Sequence, residues 1–144
     1  MHVPNFKMNP MYDRAMDLLY VIYNETANLD QEQALLLRKR VVIIIKKITR
    51  AIVEINGKMK MKLLNEAKDQ LLAVLDESYE MYQEGLIDGY MIDNFAEQLL
   101  KLIHYQFGKM KKSGEEHKLA QQVNALIIST LISYGTFRNN HWND

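Results

Sequence analysis

After Pro10 the chain contains no further proline. About 130 of its 144 residues therefore lack the one side chain that removes a backbone donor and clashes with the preceding helical turn. The six glycines are scattered through that stretch, and Leu, Ile, Lys, Glu, Gln, Met and Ala, all good or fair helix formers, dominate it. Apolar residues make up 48% of the chain, enough to bury a substantial core. The sequence predicts an all-α protein of one domain.

The apolar residues recur at helical spacing. Asn9 and Pro10 form a start signal, an N-cap followed by a proline whose missing N–H costs nothing at the first helical position. Tyr12, Ala15, Leu19, Ile22, Tyr23 and Thr26 then predict a first helix that fades near Asn28. Asp30 is the expected cap of a second helix running to about Ile55. Its stripe is Leu37, Val41, Ile44, Ile45, Ile48, Ile52 and Ile55, which spans roughly a 100° arc, a width suited to a core-facing side. Five consecutive β-branched residues, Val41 to Ile45, would suit a strand locally, but the 3.6-residue period persists over five turns. Asn56-Gly57 is expected to end this helix, with Gly57 in the left-handed region.

A third helix is expected from about Met59 to Glu84, with Leu64, Ala67, Leu71, Val74, Leu75, Ser78 and Tyr82 inward and Gly85 as its left-handed terminator. Asp88 is a candidate cap for a fourth, whose stripe is Ile92, Phe95, Ala96, Leu99, Leu102, Ile103, Gln106 and Met110. Ser113 and Glu116 form a capping-box signature, opening an expected fifth helix that carries Leu119, Val123, Leu126, Ile127, Thr130 and Tyr134 to Gly135. Short connections favour antiparallel neighbours. The expected fold is an antiparallel up-and-down four-helix bundle with an additional C-terminal helix. Its divisions are a flexible N-terminus (1–8), the bundle (9–112), the fifth helix (113–135) and a tail (136–144). Val42, Ile43 and Val53 lie off the main arc of the second helix. They fit either a wide core covered by the fifth helix or an apolar strip that seals a homo-oligomer.

The formal net charge is zero, yet the charges are sorted. From Arg38 to Lys62 there are nine Lys/Arg and one acid, Glu54; from Glu66 to Glu97 there are nine Asp/Glu and one base, Lys68. On the second helix, Lys39, Arg40, Lys46, Lys47 and Arg50 fall about opposite the apolar stripe, with Arg38 toward its edge. Lys58, Lys60 and Lys62 carry the positive run into the third helix. Cations repeated along one helical face can follow a phosphate backbone and release its counterions. No aromatic residue is interleaved on that face, so contact with the backbone is expected rather than base stacking. The competing reading is a solvated outer face, partly neutralised by Asp69, Asp76, Glu77, Glu80 and Glu84 of the third helix.

Other chemistries find little support. With no cysteine there are no disulfides, thiolate metal sites or cysteine nucleophiles. The histidines, His2, His104, His117 and His141, form no HExxH and no Glu-x-x-His pair, so no metal ligand set emerges. Helical HEPN-type nucleases place a histidine four to six residues after an arginine. Arg138 and His141 are closer than that, which leaves a HEPN-like RNase the weakest reading. No enzyme activity and no cofactor are expected. Phe137 and Trp142 fit either a docking anchor or packing against the bundle. The N-terminus has no apolar signal segment, and Val41–Ile45 falls far short of the ~20 apolar residues that cross a bilayer. A cytoplasmic location is expected.

Two stretches carry a family resemblance. LRKRVVIIIKKITRAIVEING (Leu37 to Gly57) is a basic amphipathic helix closing on Ile-Val-Glu and a glycine. LLNEAKDQLLAVLDESYEMYQEGLIDGYMIDNFAEQLLKLIHYQFGKM (Leu63 to Met110) reads as paired helices joined by a short turn after a glycine. Together they resemble the four-helix-bundle family of 23S rRNA intervening-sequence proteins and the accessory variability determinant of diversity-generating retroelements. The resemblance implies a ring-shaped homopentamer without catalytic residues that binds RNA and/or a reverse transcriptase. Arg38, Lys39, Arg40, Lys46, Lys47 and Arg50 would be the contacting residues. The chain departs from the family pattern in lacking a Trp near the end of the fourth helix, in adding about 34 residues beyond it, and in its acidic third helix. The alternative is a protein–protein adaptor or regulator that does not bind nucleic acid.

Overall fold

A computed structural model describes residues 9–109. They form four α-helices: α1 (Pro10–Glu25), α2 (Gln31–Val53), α3 (Gly57–Gln83) and α4 (Tyr90–Lys109). The arrangement is an up-and-down bundle in which α1 packs on α2 and α4, and α3 on α2 and α4, with the broadest contact between α2 and α3. The expected fifth helix, the Phe137/Trp142 tail, the Arg138–His141 pair and the first eight residues lie outside the described residues.

Two start signals operate through their side chains; Asp88 does not cap α4, which begins at Tyr90 with Gly89 before it and the Asp93 N–H on the Gly89 carbonyl. Asn9 Oδ1 accepts the Met11 N–H at 2.8 Å, and Pro10 opens α1. Asp30 Oδ1 accepts the Glu32 N–H at 3.3 Å. The turn between α2 and α3 departs from expectation. Helix α2 stops at Val53, Glu54 and Asn56 are extended, and Asn56 Oδ1 accepts the Met59 N–H at 3.0 Å. Asn56 therefore caps the following helix, and Gly57 is its first residue and not a left-handed terminator. Among the described glycines, Gly85 and Gly89 take positive φ, at 76° and 78°. Gly85 ends α3 as the spacing suggested. Its N–H donates to the Tyr82 carbonyl, and the Leu86 N–H reaches back to Met81 at 2.9 Å, which satisfies two carbonyls the helix end would strand.

The core is continuous and aliphatic. Leu18, Ile22, Leu37, Val41, Ile44, Ile48, Leu64, Leu71, Val74, Leu99, Ile103 and Phe107 have no exposed surface. Fully burying a side chain of this kind stabilises a fold by about 1.5–3 kcal/mol relative to leaving it in water. Several inward assignments shift by one position. In α1 the buried residues are Met11, Ala15, Leu18 and Ile22, while Tyr23 is exposed. Ile45 and Ile52 are only partly buried, and Ile55, past the end of α2, is 98% exposed. Lys68, the lone base of the acidic block, is buried at 4% exposure and bonds the adjacent Asp69 at 2.8 Å.

Candidate functional site

The cations of α2 divide into three groups according to where the helix turns them. Arg38 points to α1. Its Nε donates to Thr26 Oγ1 at 3.0 Å, a second nitrogen donates to the Thr26 carbonyl at 3.3 Å, and the guanidinium lies over the Tyr23 ring, 4.4 Å from its centre. Thr26 is buried, so this arginine satisfies a carbonyl at the end of α1 that water reaches poorly. Arg38 locks the α1–α2 turn.

Arg40 and Lys47 point to α3. The Arg40 Nε meets Glu77 Oε1 at 2.6 Å and another nitrogen donates to Gln70 Oε1 at 3.0 Å. Lys47 Nζ lies 2.6 Å from Glu66 Oε2. Both cations are half-buried between the helices. The expectation that they lie opposite the apolar stripe is therefore corrected: seven residues apart, they share the flank of α2 that packs on α3, and their stems run along the seam.

Lys39, Lys46 and Arg50 do face outward. All three are exposed, and none makes an ion pair among the described residues. They are interleaved with apolar side chains, because Leu36, Ile43 and Val53 on the same stripe are exposed too. On α3, Lys58 and Lys62 are exposed and Lys60 is half-buried. An open cleft of about 670 Å³ lies at this corner, lined by Glu54, Asn56, Lys58, Met59, Lys62 and Asn65. Asn65 Oδ1 is buried there without a hydrogen-bond partner.

The corner where α2 ends and α3 begins is where the positive charge concentrates. Glu66 lies among Lys47, Lys62 and Arg50. The hydrogen bond from Lys47 holds its carboxyl below the usual range; burial opposes this, and the charges of Lys47, Lys62 and Arg50 add to it. Lys47 alone pairs with the carboxylate, and the other two cations act on it from beyond ion-pair distance. The second half of the bundle has the opposite problem. The Glu25 Oε1 accepts the Gly89 N–H at 2.8 Å, tying the end of α1 to the α3–α4 loop. Burial, reinforced by the charge of Asp88, raises the Glu25 carboxyl above its usual range against the hydrogen bonds from Gly89 and Asp88.

Sequence reasoning missed two contributors. Glu66 was counted only as part of the acidic block; its partner Lys47 lies on a different helix, so spacing within α3 does not reveal the pair. Tyr23 entered only as part of the spacing that predicts α1. It supplies the aromatic face for Arg38 from a different helix, which no inspection of α2 alone could find.

His104 is half-buried on α4, with its Nδ1 buried and unpartnered. Among the described residues, no three His, Asp or Glu side chains gather as a metal ion would require, and no helix is long and apolar enough to cross a membrane. Compared with known proteins, the chain matches no family model, no curated protein and no solved structure.

Proposed function

We propose that this chain is a non-enzymatic accessory protein that docks RNA, alone or together with a reverse transcriptase, on the basic corner formed by α2 and α3. The observation that carries the reading is a cluster of exposed cations at this corner, Lys46, Arg50, Lys58 and Lys62, which form no ion pair among the described residues and flank the single Lys47–Glu66 pair. Such a surplus of cations holds a phosphate backbone by charge and leaves bases unread. The resemblance of Leu37–Gly57 and Leu63–Met110 to the retroelement accessory family supports the choice of partner. Relative to the whole basic face first expected, the site moves: Arg38 and Arg40 serve the fold, and the binding surface centres on Lys46, Lys47, Arg50, Lys58 and Lys62.

A second reading has its own support. Exposed Leu36, Ile43 and Val53 between Lys39, Lys46 and Arg50 form a mixed apolar and basic stripe, which suits a protein surface, including another copy of this chain in a homo-oligomer such as a ring. Titration of a labelled single-stranded RNA over increasing KCl separates the two. RNA docking predicts that log K falls linearly with log salt, with a slope near −0.7 for each phosphate neutralised. Reversing Lys46, Arg50 and Lys62 to Glu is expected to weaken binding about a hundredfold at low salt. If wild type shows no RNA affinity at 50 mM KCl, or the reversal leaves it unchanged, the protein-only adaptor is the surviving reading.

A further inference from the structure

Two ion pairs bridge α2 and α3, and they are built differently. At Arg40 the charge is balanced: one guanidinium takes one carboxylate, Glu77, and a second nitrogen donates to Gln70. At Lys47 it is not. Lys47 already satisfies Glu66 at 2.6 Å, while Lys62 stands one helical turn before Glu66 on α3 and Arg50 one turn after Lys47 on α2, so helical spacing sets both on the flanks of the pair. A pair that served only to fasten two helices would need neither of these additional cations. Nor are they occupied elsewhere, since Lys62 and Arg50 are exposed and form no ion pair among the described residues. Lys62 also lines the open cleft at the helix corner, so an anion has a path to it.

We propose that Lys47, Arg50 and Lys62 form a phosphate subsite and that the carboxylate of Glu66 occupies it as a resident stand-in, to be displaced when an RNA phosphodiester binds. The subsite rests on the RNA reading for its ligand. A carboxylate and a phosphodiester both present oxygens to the ammonium and guanidinium donors, but the carboxylate is tethered to α3 and repels the incoming phosphate. Glu66 thus sets the affinity from within. It keeps the cations apart from one another's repulsion when the site is empty, and it weakens every ligand that must push it aside.

The test compares wild type with Glu66→Gln, which keeps an oxygen for Lys47 and removes the charge, and with Glu66→Ala as a second variant should the first fail to fold. Expected are about fivefold tighter binding of single-stranded RNA at 50 mM KCl, the effect of one surface charge pair, and a salt slope steeper by about 0.7. Inorganic pyrophosphate should perturb the amide resonances around Lys47, Arg50 and Lys62 more strongly in the variants than in wild type. If the variants bind RNA no tighter while reversal of Lys46, Arg50 and Lys62 still weakens wild type, the stand-in role falls and RNA docking survives. If pyrophosphate favours the variants but RNA binds to none, the subsite survives and the RNA reading falls. If vesicles containing phosphatidylglycerol respond to the substitutions and RNA does not, the ligand is a lipid phosphate and the RNA assignment is overturned. Silence toward all three probes overturns both proposals.

Discussion

Arg40 and Lys47 lie on the same flank of the same helix, two turns apart, and each reaches a glutamate on α3 at 2.6 Å. At the first, one guanidinium meets one carboxylate and one amide, and the arginine serves the fold. At the second, two further cations flank the pair at one-turn spacing without partners of their own among the described ion pairs, and charge is left over. The lesson is that an ion pair at one distance can be structural or functional, and that the census of neighbouring charges decides which. A single N···O distance would have placed both in one class.

The comparison breaks at its base if the two sites do not share a common rigid seam. Ile48, fully buried in α2, tests this. Ile48→Ala should lower unfolding free energy by about 2–5 kcal/mol, read as a shift of the urea midpoint. It should blur both ion pairs together, seen as loss of slow hydrogen exchange along α2 and α3. A loss below about 1 kcal/mol would mean that the seam is loosely packed and that neither pair is held in place.

The next largest effect sharpens the contrast. Arg40→Met keeps the stem and removes the charge, leaving Glu77 and Gln70 without their partner in a half-buried setting. A cost of about 1–3 kcal/mol is expected, with RNA binding unchanged in fluorescence anisotropy. Lys47→Met should cost less, below about 1 kcal/mol, because the Glu66 side chain is partly exposed and water can take the place of Lys47. Its RNA affinity should fall. Equal stability losses, or an RNA defect in Arg40→Met, would erase the distinction.

The smallest effects are in the pH dependence, and their signs are opposite. The Glu66 carboxyl is lowered from 4.5, chiefly by Lys47. Its contribution is present above 4.5 and fades as the pH falls through the depressed folded value. The Glu25 carboxyl is raised from 4.5, chiefly by burial. Its contribution is present below 4.5 and is lost as the pH rises through the elevated folded value. Glu25→Gln should therefore be more stable than wild type at pH 7, with the gap closing toward pH 4.5. Glu66→Gln should flatten the acid limb of the stability curve. Urea midpoints taken from pH 3 to 7 distinguish these outcomes, and a Glu25→Gln protein less stable at neutral pH would contradict the assignment.

Much of this molecule could be read from its sequence. The four helices of the bundle, the caps Asn9 and Asp30, the Gly85 terminator and most of the α3 face follow from spacing, because 3.6-residue periodicity and capping chemistry are local. The α2–α3 turn was misjudged because Asn56-Gly57 satisfies either helix, ending one or starting the next, and only the extended backbone of Glu54 and Asn56 decides it. The candidate site was legible as a block of charge and not as a site. The residue types were right, but which cation turns toward α1, which toward α3 and which outward depends on angles of a few tens of degrees around α2 and on which neighbour lies there. Tyr23 beneath Arg38 and Glu66 beside Lys47 are contacts between helices, and no period within one helix encodes them.

Among the described residues, three of the four helix seams join neighbours along the chain, and only the contact of α1 with α4 closes the bundle end to end. Such a topology closes its loops early and at little entropic cost, so the polypeptide should collapse to its native form within milliseconds and without a stalled intermediate. The broad α2–α3 hairpin is the natural nucleus and the α1–α4 seam the last to zip. Truncating Leu71 should then mainly retard the refolding arm of a chevron plot, and truncating Leu99 on α4 should mainly hasten the unfolding arm. The reverse pattern would place the nucleus at the seam between the chain's distant helices.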